Sequence, residues 1–401
     1  MKAREIALLA ATAGWAGCGG QGGSSSGSGS AGSPNNAVNN VQPVQVTFGP
    51  ANDRVNGFFT SVTICVPGTS NCQTIDGVQV DTGSDGLRLL SSQVSLALPP
   101  MTDAGGNPIV NCGTFVDNSY AWGPMVSADV HMAGERAASV PIQLIAAPGI
   151  PDAPSECSSG GNAADSVSAL GANGLLGIGV FRQDCGSACA RATRVPPVYF
   201  SCRDSGCSVT AVPLESQLQN PVWLFPQDNN GVLISLPSVP EQGAPTVSGS
   251  LIFGIGTQSD NALGSARVYT TDDVGNFSTS FGGNTYSSSY LDTGSNGLYF
   301  LDSSTIGIPE CPDGDSDFSC PPSTLTLTAT NTGRNGTSAA VTFNVANAER
   351  LFGTGNAAFN DLAGPDTGDF DWGLPFFFGR RTFVAFEGQS TPAGAGPYWA
   401  Y

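Results

Sequence analysis

The chain has 401 residues, of which 53 are Gly and 28 are Pro, and only 11% are charged. So little charge with so much Gly and Pro excludes a coiled coil or a helical bundle and favours short strands joined by turns. The formal net charge of −18 argues against nucleic acid or an anionic membrane as a partner, because binding to either requires a basic face. The sequence has no apolar run of 18 residues, so no segment of it is predicted to span a membrane.

Residues 1–18 are a predicted signal peptide. Lys2 and Arg4 precede the apolar stretch Ile6 to Ala16, and small residues then lead to Cys18. The last three of these residues resemble a bacterial lipobox, in which the Cys is lipidated and becomes the mature N-terminus. An ordinary cleaved signal, in which the Cys has no role, is the alternative.

A segment rich in Gly and Ser follows, and residues 19–43 are predicted to be a flexible tether of the kind that follows a lipid anchor. The expected location is the envelope of a bacterial cell, with the lipid anchor in the outer membrane. Without lipidation the protein is expected to be periplasmic or secreted. The membrane is therefore an expected partner only through the anchor at Cys18.

Ten further cysteines follow Cys18, and an even number in an exported chain predicts up to five disulfides. Three close pairs are candidates to staple a hairpin or loop: Cys65 and Cys72, Cys202 and Cys207, and Cys311 and Cys320. A zinc site of four thiolates, built from Cys185, Cys189, Cys202 and Cys207, is the alternative for one Cys-rich segment near 182–212. Export favours the disulfides.

The patterning after the tether is β throughout. Predicted strands, which are short, rich in β-branched residues and bounded by turn residues, are Val44 to Phe48, Phe58 to Val66, Val126 to Met132, Val140 to Ile145, Gly249 to Phe253, Leu325 to Ala329 and Phe383 to Phe386. Only Ser91 to Leu98 and Ala346 to Phe352 are predicted to be helical. The fold class is therefore all-β.

A twelve-residue segment occurs twice. Asp81 to Ser92 begins Asp-Thr-Gly-Ser-Asp-Gly-Leu, and Asp292 to Ser303 begins Asp-Thr-Gly-Ser-Asn-Gly-Leu, with eight of twelve positions identical at an offset of 211 residues. One Asp-Thr-Gly-Ser in a chain rich in Gly and Ser carries little information, but the repeat with matched flanks is specific. It predicts two β lobes related by a pseudo-twofold axis, 44–265 and 266–401.

A pair of such loops has a clear chemical use. Each copy follows a strand-like run, so it presents a carboxylate on a tight loop whose Gly permits close approach of a second backbone. Two carboxylates brought together by the symmetry cannot both ionise easily, so they share one proton. One then acts as a base toward water and the other as an acid toward a carbonyl oxygen.

These two loops resemble the catalytic loops of the pepsin-like, bilobal aspartic proteases, and the chain is similar to a group of uncharacterised bacterial lipoproteins with the same paired motif. Other segments resemble the family in the family's order. Asn173 to Gly179 resembles the strand that crosses beneath the first loop, Trp372 to Phe378 its partner in the second lobe, and Gly249 to Gly254 the strand before the crossing between lobes. The resemblance extends from about Val44 to Gly388.

The resemblance implies an aspartic-type endopeptidase whose catalytic pair is Asp81 and Asp292. It also implies supporting residues that hydrogen-bond across the axis or to the carboxylates: Thr82, Gly83, Ser84, Thr293, Gly294 and Ser295. Tyr120 and Trp122 are the candidates for the aromatic residue of the flap, the β-hairpin that closes over the cleft in this family. The expected partner is a polypeptide substrate or peptide ligand, and the protein is expected to be a monomer without a cofactor or metal.

An interpretation of a different class stays open. Arg88 occupies the position of the Trp that supports the flap in the family, and the flap segment is short. The alternative function is therefore a catalytically inactive pepsin-like module that binds a peptide or a cell-envelope partner in its cleft. The intact pair of Asp residues favours the enzyme.

Overall fold

The computed structural model of the chain describes residues 39–191, 193–312 and 314–401. The predicted signal peptide, Cys18 and most of the predicted tether lie outside these residues. The tether was predicted to extend to residue 43, but the first strand begins before this residue, so the predicted end of the tether was wrong. Strand β1 begins at Val41 because residues 41–46 pair in antiparallel register with residues 247–252.

Short strands make up most of the regular structure. The strands of the first part of the chain are β1 (Val41–Thr47), β2 (Gly57–Cys65), β3 (Cys72–Asp81), β4 (Asp85–Leu90), β5 (Ile109–Thr114), β6 (Tyr120–Met132), β7 (Glu135–Ile145), β8 (Gly174–Ile178), β9 (Tyr199–Arg203), β10 (Gly206–Val209), β11 (Gly231–Ser235) and β12 (Val247–Phe253). Those of the second part are β13 (Val268–Thr270), β14 (Phe277–Phe281), β15 (Asn284–Leu291), β16 (Leu298–Phe300), β17 (Leu325–Thr332), β18 (Ser338–Val345), β19 (Ala363–Gly364), β20 (Phe370–Trp372), β21 (Arg381–Ala385), β22 (Ser390–Thr391), β23 (Gly394–Ala395) and β24 (Tyr398–Ala400).

The helices are all short. The α-helices are α1 (Ser155–Ser158), α2 (Val167–Leu170), α3 (Ser303–Ile306) and α4 (Ala348–Phe352), and the 3-10 turns are Ser91–Gln93, Gly186–Ala188, Leu214–Ser216, Val222–Leu224 and Leu374–Phe377. The predicted helix from Ser91 to Leu98 is thus only a single turn, whereas the one from Ala346 to Phe352 is confirmed as α4. No helix of the described residues is both long and apolar enough to cross a membrane.

Two sheets carry the two repeated segments. The first has the strand order β10-β9-β5-β6-β7-β4-β8-β3-β2-β1-β12-β11-β21-β24-β13, and the second has the order β18-β17-β14-β15-β20-β16-β19. The first sheet contains β3 and β4, which flank the first motif, and the second contains β15 and β16, which flank the other. The predicted boundary after residue 265 falls in the loop between β12 and β13.

A large apolar cluster lies beneath both motifs. It includes Val80 and Leu87 on either side of the first loop, and Leu291 and Leu298 on either side of the second, all at most 2% exposed. Burial of such side chains is the main stabilising contribution of a β core. The two loops are therefore anchored on the same packed interior.

Five disulfides connect the ten cysteines of the described residues, as the sequence predicted. The three close pairs form as expected, and Cys112 bonds to Cys157 across 45 residues. Cys185 bonds to Cys189 and Cys202 to Cys207, so the four thiolates proposed for zinc are not available. Among the described residues no group of three or more His, Cys, Asp or Glu side chains is placed to hold a metal ion.

Candidate active site

Each repeated loop begins where a strand ends against a parallel neighbour. Strand β3 ends at Asp81, which pairs with Gly177 of β8, and β8 then pairs in antiparallel fashion with β4 on the far side of the loop. In the second copy β15 ends one residue before Asp292, and β20 lies parallel to β15 and antiparallel to β16. A central strand thus separates the two arms of each loop and fixes where its Asp lies.

The second of these central strands lies earlier than the sequence predicted. It is Phe370–Trp372, and Leu374–Phe377 forms a 3-10 turn instead of a strand. A Cβ at Gly373 would lie 2.0 Å from the Gly297 carbonyl oxygen, so only Gly fits where the central strand leaves the loop. The strand includes a buried acid, Asp371, and for this reason the apolar pattern did not reveal it.

Two threonines join the loops across the axis. The Thr82 backbone N–H donates to Thr293 Oγ1 at 3.1 Å, and the Thr293 N–H donates to Thr82 Oγ1 at 3.0 Å. Each hydroxyl in turn donates to a carbonyl of the other loop's strand, Thr82 to Leu291 at 2.9 Å and Thr293 to Val80 at 2.8 Å. These four buried bonds hold the two loops in one relative position, as the resemblance implied.

Within each loop the carboxylate accepts bonds from the next residues of its own motif. The Gly83 N–H donates to Asp81 Oδ1 at 2.8 Å, and the Ser84 hydroxyl donates to Asp81 Oδ2. In the second loop the Gly294 N–H donates to Asp292 Oδ1 at 2.7 Å, and Ser295 Oγ lies 3.1 Å from Asp292 Oδ2. All six supporting residues named from the sequence therefore contact a carboxylate or the other loop.

The two carboxyl groups meet at the axis and hydrogen-bond to each other. A Cβ on Gly83 would lie 2.7 Å from Asp292 Oδ2, and one on Gly294 would lie 2.7 Å from Asp81 Oδ1. Both glycines are thus required by close approach, since any side chain there would meet the opposite carboxylate. Asp81 and Asp292 are each 0% exposed.

Burial raises the pKa of Asp292 well above its usual range. The neighbouring carboxylates of Asp81 and Asp371 raise this pKa further, because a second negative charge nearby disfavours ionisation. Asp371 accepts a hydrogen bond from Ser295 Oγ at 2.5 Å, and Ser295 connects it to Asp292. These contacts favour the protonated form of Asp292.

Burial also raises the pKa of Asp81, but other contacts oppose this rise. Hydrogen bonds from the Ser84 hydroxyl, the Asp292 carboxyl and the Gly83 N–H stabilise its charged form, and the guanidinium of Arg88 does so through its charge. The two titrations are linked, since each carboxyl changes the charge that the other experiences. The arrangement favours a singly charged pair that shares one proton.

Two other buried polar residues support the loops and were not predicted from the sequence. Gln79 Nε2 donates to the Gly294 carbonyl at 3.1 Å, and Asn56 Nδ2 donates to the Asn296 carbonyl at 2.8 Å. Both residues reach from the first copy's part of the chain to the second loop. The sequence indicated only that Gln79 lies between two valines, Val78 and Val80, at the end of a buried strand. Nothing nearby in the sequence indicated its partner.

The flap candidates lie at the start of β6, in a hairpin with β5. Trp122 Nε1 donates to the Pro151 carbonyl at 2.9 Å, and its ring packs edge-on against Phe200. Tyr120 is partly buried and packs against the apolar cluster that includes Phe200. In the part of the chain that the structure describes, neither side chain hydrogen-bonds to Asp81 or Asp292.

Neighbouring elements also hold the hairpin of β5 and β6 in place. Strand β9 extends its sheet on the β5 side, and the Cys112–Cys157 disulfide attaches β5 to helix α1. On the other side, Tyr120 pairs with Ala163. The hairpin that contains the two flap candidates is thus bonded along both edges.

Comparison with known proteins agrees with this architecture. A solved structure that matches is the aspartic proteinase from Irpex lacteus, with a TM-score of 0.51 and 13% sequence identity, over 90% of this chain and 96% of that one. At this identity the likeness shows the fold alone, and the predicted fold class, all-β with the bilobal pepsin-like architecture, is confirmed. A search of curated proteins finds no match. The sequence matches the family described as "Protein of unknown function (DUF3443)" over residues 36–401, and the chain therefore belongs to that family.

Proposed function

We propose that this protein is an exported aspartic endopeptidase that uses Asp81 and Asp292 to activate water for peptide-bond hydrolysis. The observation that carries the proposal is the contact between the two buried carboxyl groups, which symmetric loops hold together across the axis. A carboxyl pair that shares one proton contains a base and an acid in the same site. Peptide hydrolysis at a bilobal cleft requires both.

The proposed reaction proceeds in two steps. Ionised Asp81 accepts a proton from a water molecule while the water oxygen bonds to the peptide carbonyl carbon, and Asp292 donates its proton to the carbonyl oxygen. The tetrahedral diol then collapses: the C–N bond breaks, the amine leaves with a proton from Asp81, and Asp292 recovers its proton from a diol hydroxyl. Each carboxyl thus returns to its starting state.

The other motif residues support this reaction by position. Thr82 and Thr293 maintain the relative position of the loops, and the Gly and Ser donors of each loop bond its carboxylate. Tyr120 and Trp122 are proposed to belong to the flap hairpin over the cleft. The proposed substrate is an exported or extracellular polypeptide.

Export and anchoring are part of the proposal. Five disulfides within the described residues fit an oxidising compartment, where such bonds persist. Lipidation of Cys18 would then attach the protein to the bacterial envelope through the Gly- and Ser-rich tether. Labelling with a fatty-acid analogue, compared between the native chain and Cys18→Ser, tests the anchor directly.

A catalytically inactive binding module is the second candidate. The observation that favours it is the hairpin of β5 and β6, which the Cys112–Cys157 bond and strand β9 secure along its length. A flap that cannot move limits access for a substrate that must be enclosed. In that case Asp81 and Asp292 would remain as a structural element of a peptide-binding cleft.

Hydrolysis of a mixed peptide library between pH 3 and 7 separates the two candidates. We expect cleavage by the native protein, sensitivity to pepstatin, and complete loss in Asp81→Asn and in Asp292→Asn. Asp85→Asn is the matched control, since Asp85 lies in the same repeated segment as Asp81 but its counterpart in the second copy, Asn296, is already an amide. If all four folded proteins are equally inert, the binding module becomes the better assignment.

A further inference from the structure

The second sheet ends in a strand that is open along one side. Strand β18 pairs with β17 over eight residues, and in the part of the chain that the structure describes no other strand pairs with it. The strands at the other ends of the two large sheets are shorter: β10 has four residues, β13 three and β19 two. Short edge strands are one way in which proteins avoid pairing with other chains, and β18 does not use it.

The sequence of β18 also favours pairing with a further strand. Its eight residues, Ser-Ala-Ala-Val-Thr-Phe-Asn-Val, include no charge and no Pro, and its register with β17 is continuous, without a bulge. Charges, Pro and bulges are the other common protections of an edge strand. The open edge of β18 is therefore long, regular and uncharged.

Bonds at the two ends of this edge show which backbone groups face outward. The Arg267 guanidinium donates to the Ser338 carbonyl at 3.1 Å, and the Ala346 N–H donates to the Asp361 carbonyl at 2.9 Å. Both partners lie outside the hairpin of β17 and β18. Since backbone groups alternate between the two sides of a strand, the outward positions between these ends are Ala340, Thr342 and Asn344.

These three residues leave a gap in the hydrogen-bond ladder. Among the described residues, no loop and no side chain bonds to their backbone groups on the outer side, although both ends of the edge have such bonds. Ala340 and Thr342 are also exposed. An extended peptide of about five residues has the length to pair with three alternate positions.

A cavity lies beside the same stretch of the strand. It has a volume of about 190 Å³, and the consecutive residues 341–344 of β18 line it. The rest of its lining is mostly apolar and comes from the flank of the second repeated loop and from the 3-10 turn that follows β20: Leu298, Trp372, Pro375, Phe376 and Phe378. A cavity of about 150 Å³ holds a benzene molecule, so this one has room for one large apolar side chain.

One cation also lines the cavity. Arg380 is half-buried, its guanidinium lies 4.4 Å from the centre of the Phe376 ring, and Nη1 donates to the Phe376 carbonyl. Within the described ranges no carboxylate is at ion-pair distance from it. A guanidinium has five N–H donors in a planar fork, so Arg380 has donors left for a carboxylate of a ligand.

We propose that the open edge of β18 is a docking site for an extended segment of a partner polypeptide. The segment pairs with Ala340, Thr342 and Asn344, inserts an apolar side chain into the cavity and places a carboxylate on Arg380. In strand addition of this kind the main-chain hydrogen bonds provide affinity and the side-chain pocket provides specificity. The proposal goes beyond the proposed function and does not depend on it, because docking requires no cleavage.

The docking site is distinct from the carboxyl pair but shares a support with it. Neither Asp81 nor Asp292 lines the cavity. Trp372 does, and its carbonyl accepts a hydrogen bond from the Asp292 N–H at 3.1 Å. A docked segment therefore packs against β20, the strand that positions Asp292, and leaves the pair itself uncovered.

The test is fluorescence anisotropy with the Asp81→Asn protein, which lacks the base of the proposed reaction and so leaves the probe intact. The probe is a pool of fluorescein-labelled heptapeptides of Thr and Val with one Phe and, one to three positions later, one Glu. In the matched pool Gln replaces Glu. We expect saturable binding of the Glu pool and about tenfold weaker binding of the Gln pool, since hydrogen bonds to a charged acceptor are the stronger ones.

Arg380→Gln should bind the two pools equally. Arg381→Gln is the matched control and should keep the preference for Glu, because Arg381 is exposed and donates to the Asp260 carbonyl. Thr342→Pro should abolish binding of both pools, since Pro has no N–H for an added strand. Pro is tolerated on an edge strand, so this variant is expected to fold.

Any of three results overturns the proposal: no binding of either pool below about 1 mM, an unchanged preference for Glu in Arg380→Gln, or equal binding of a probe that is N-methylated at alternate residues and cannot extend a sheet. If Thr342→Pro does not fold, the N-methylated probe decides the question of strand addition. Sedimentation of the protein alone tests the rival occupant. A dimer that Thr342→Pro abolishes would assign the edge to a second copy of this chain and overturn the peptide partner.

Discussion

Thr82 and Thr293 exchange backbone-to-hydroxyl hydrogen bonds across the axis, at 3.1 and 3.0 Å. Each hydroxyl also donates to the opposite strand, so one side chain satisfies two buried backbone groups of the other loop. The loops therefore depend on each other, and neither holds its carboxylate alone. This reciprocity is the structural reason that a repeated motif produces one site.

Thr82→Val should lower the free energy of unfolding by about 2–4 kcal/mol. Valine has the shape of threonine but leaves the Thr293 N–H and the Leu291 carbonyl unpaired in the interior, and each unpaired group costs about 1–3 kcal/mol. Urea unfolding measures the loss. Thr82→Ser should recover most of it, and Thr63→Val on the surface of β2 should change stability by less than about 0.5 kcal/mol. Equal effects at both positions would contradict the assigned role.

Asp85→Asn should make the protein more stable at neutral pH. Burial, and secondarily the charge of Glu387, raises the pKa of Asp85 well above its usual range, so the folded state binds a proton that the unfolded state loses above about pH 4. The stabilising contribution of this carboxyl is complete below that pH and is lost as the pH rises toward the folded-state pKa. An amide cannot ionise and avoids the loss.

We therefore expect the Tm of Asp85→Asn to match that of the native protein near pH 4 and to exceed it at pH 7, by the equivalent of about 1–2 kcal/mol. Asp204→Asn, on an exposed hairpin, should show no such divergence. A native protein that gains stability relative to Asp85→Asn as the pH rises would show that the carboxyl is ionised in the folded state.

The sequence was sufficient for the parts of the site that are local and repeated. Asp81, Asp292 and their Thr, Gly and Ser neighbours could be predicted because each loop makes its bonds with residues a few positions away and with the equivalent residues of the other copy. Gln79 and Asn56 could not be predicted, because their partners, the carbonyls of Gly294 and Asn296, are more than 200 residues away.

The second central strand was predicted two residues too late for a related reason. A buried strand is recognised by its apolar pattern, and Phe370–Trp372 interrupts that pattern with Asp371. Only the register with β15 and β16 shows that this acid belongs to the strand and reaches Ser295. Asp371, the charged residue that interrupts the apolar pattern, is thus also the residue whose charge raises the pKa of Asp292.

Removal of the Cys112–Cys157 disulfide should destabilise the protein more than removal of Cys202–Cys207. In the chain-entropy account the cost grows with the loop that is closed, which gives about 4 kcal/mol for a separation of 45 residues and about 2 kcal/mol for a separation of 5. Urea unfolding of the paired Cys→Ser variants gives the comparison. Hydrogen exchange over residues 115–119 should rise only in the first variant, since only that bond attaches β5 to α1.

Asp371→Asn should move the basic limb of the kcat/KM profile to lower pH. The charge of Asp371 contributes to the raised pKa of Asp292, so an amide at this position lowers the pKa at which the pair loses its shared proton. A shift of about one pH unit is expected, with the acid limb little changed, because Asp371 is bonded through Ser295 to the second loop and not to the first. Asp204→Asn again serves as the control for a lost surface charge. An upward shift of the basic limb, or an equal shift of both limbs, would mean that Asp371 does not act through Asp292.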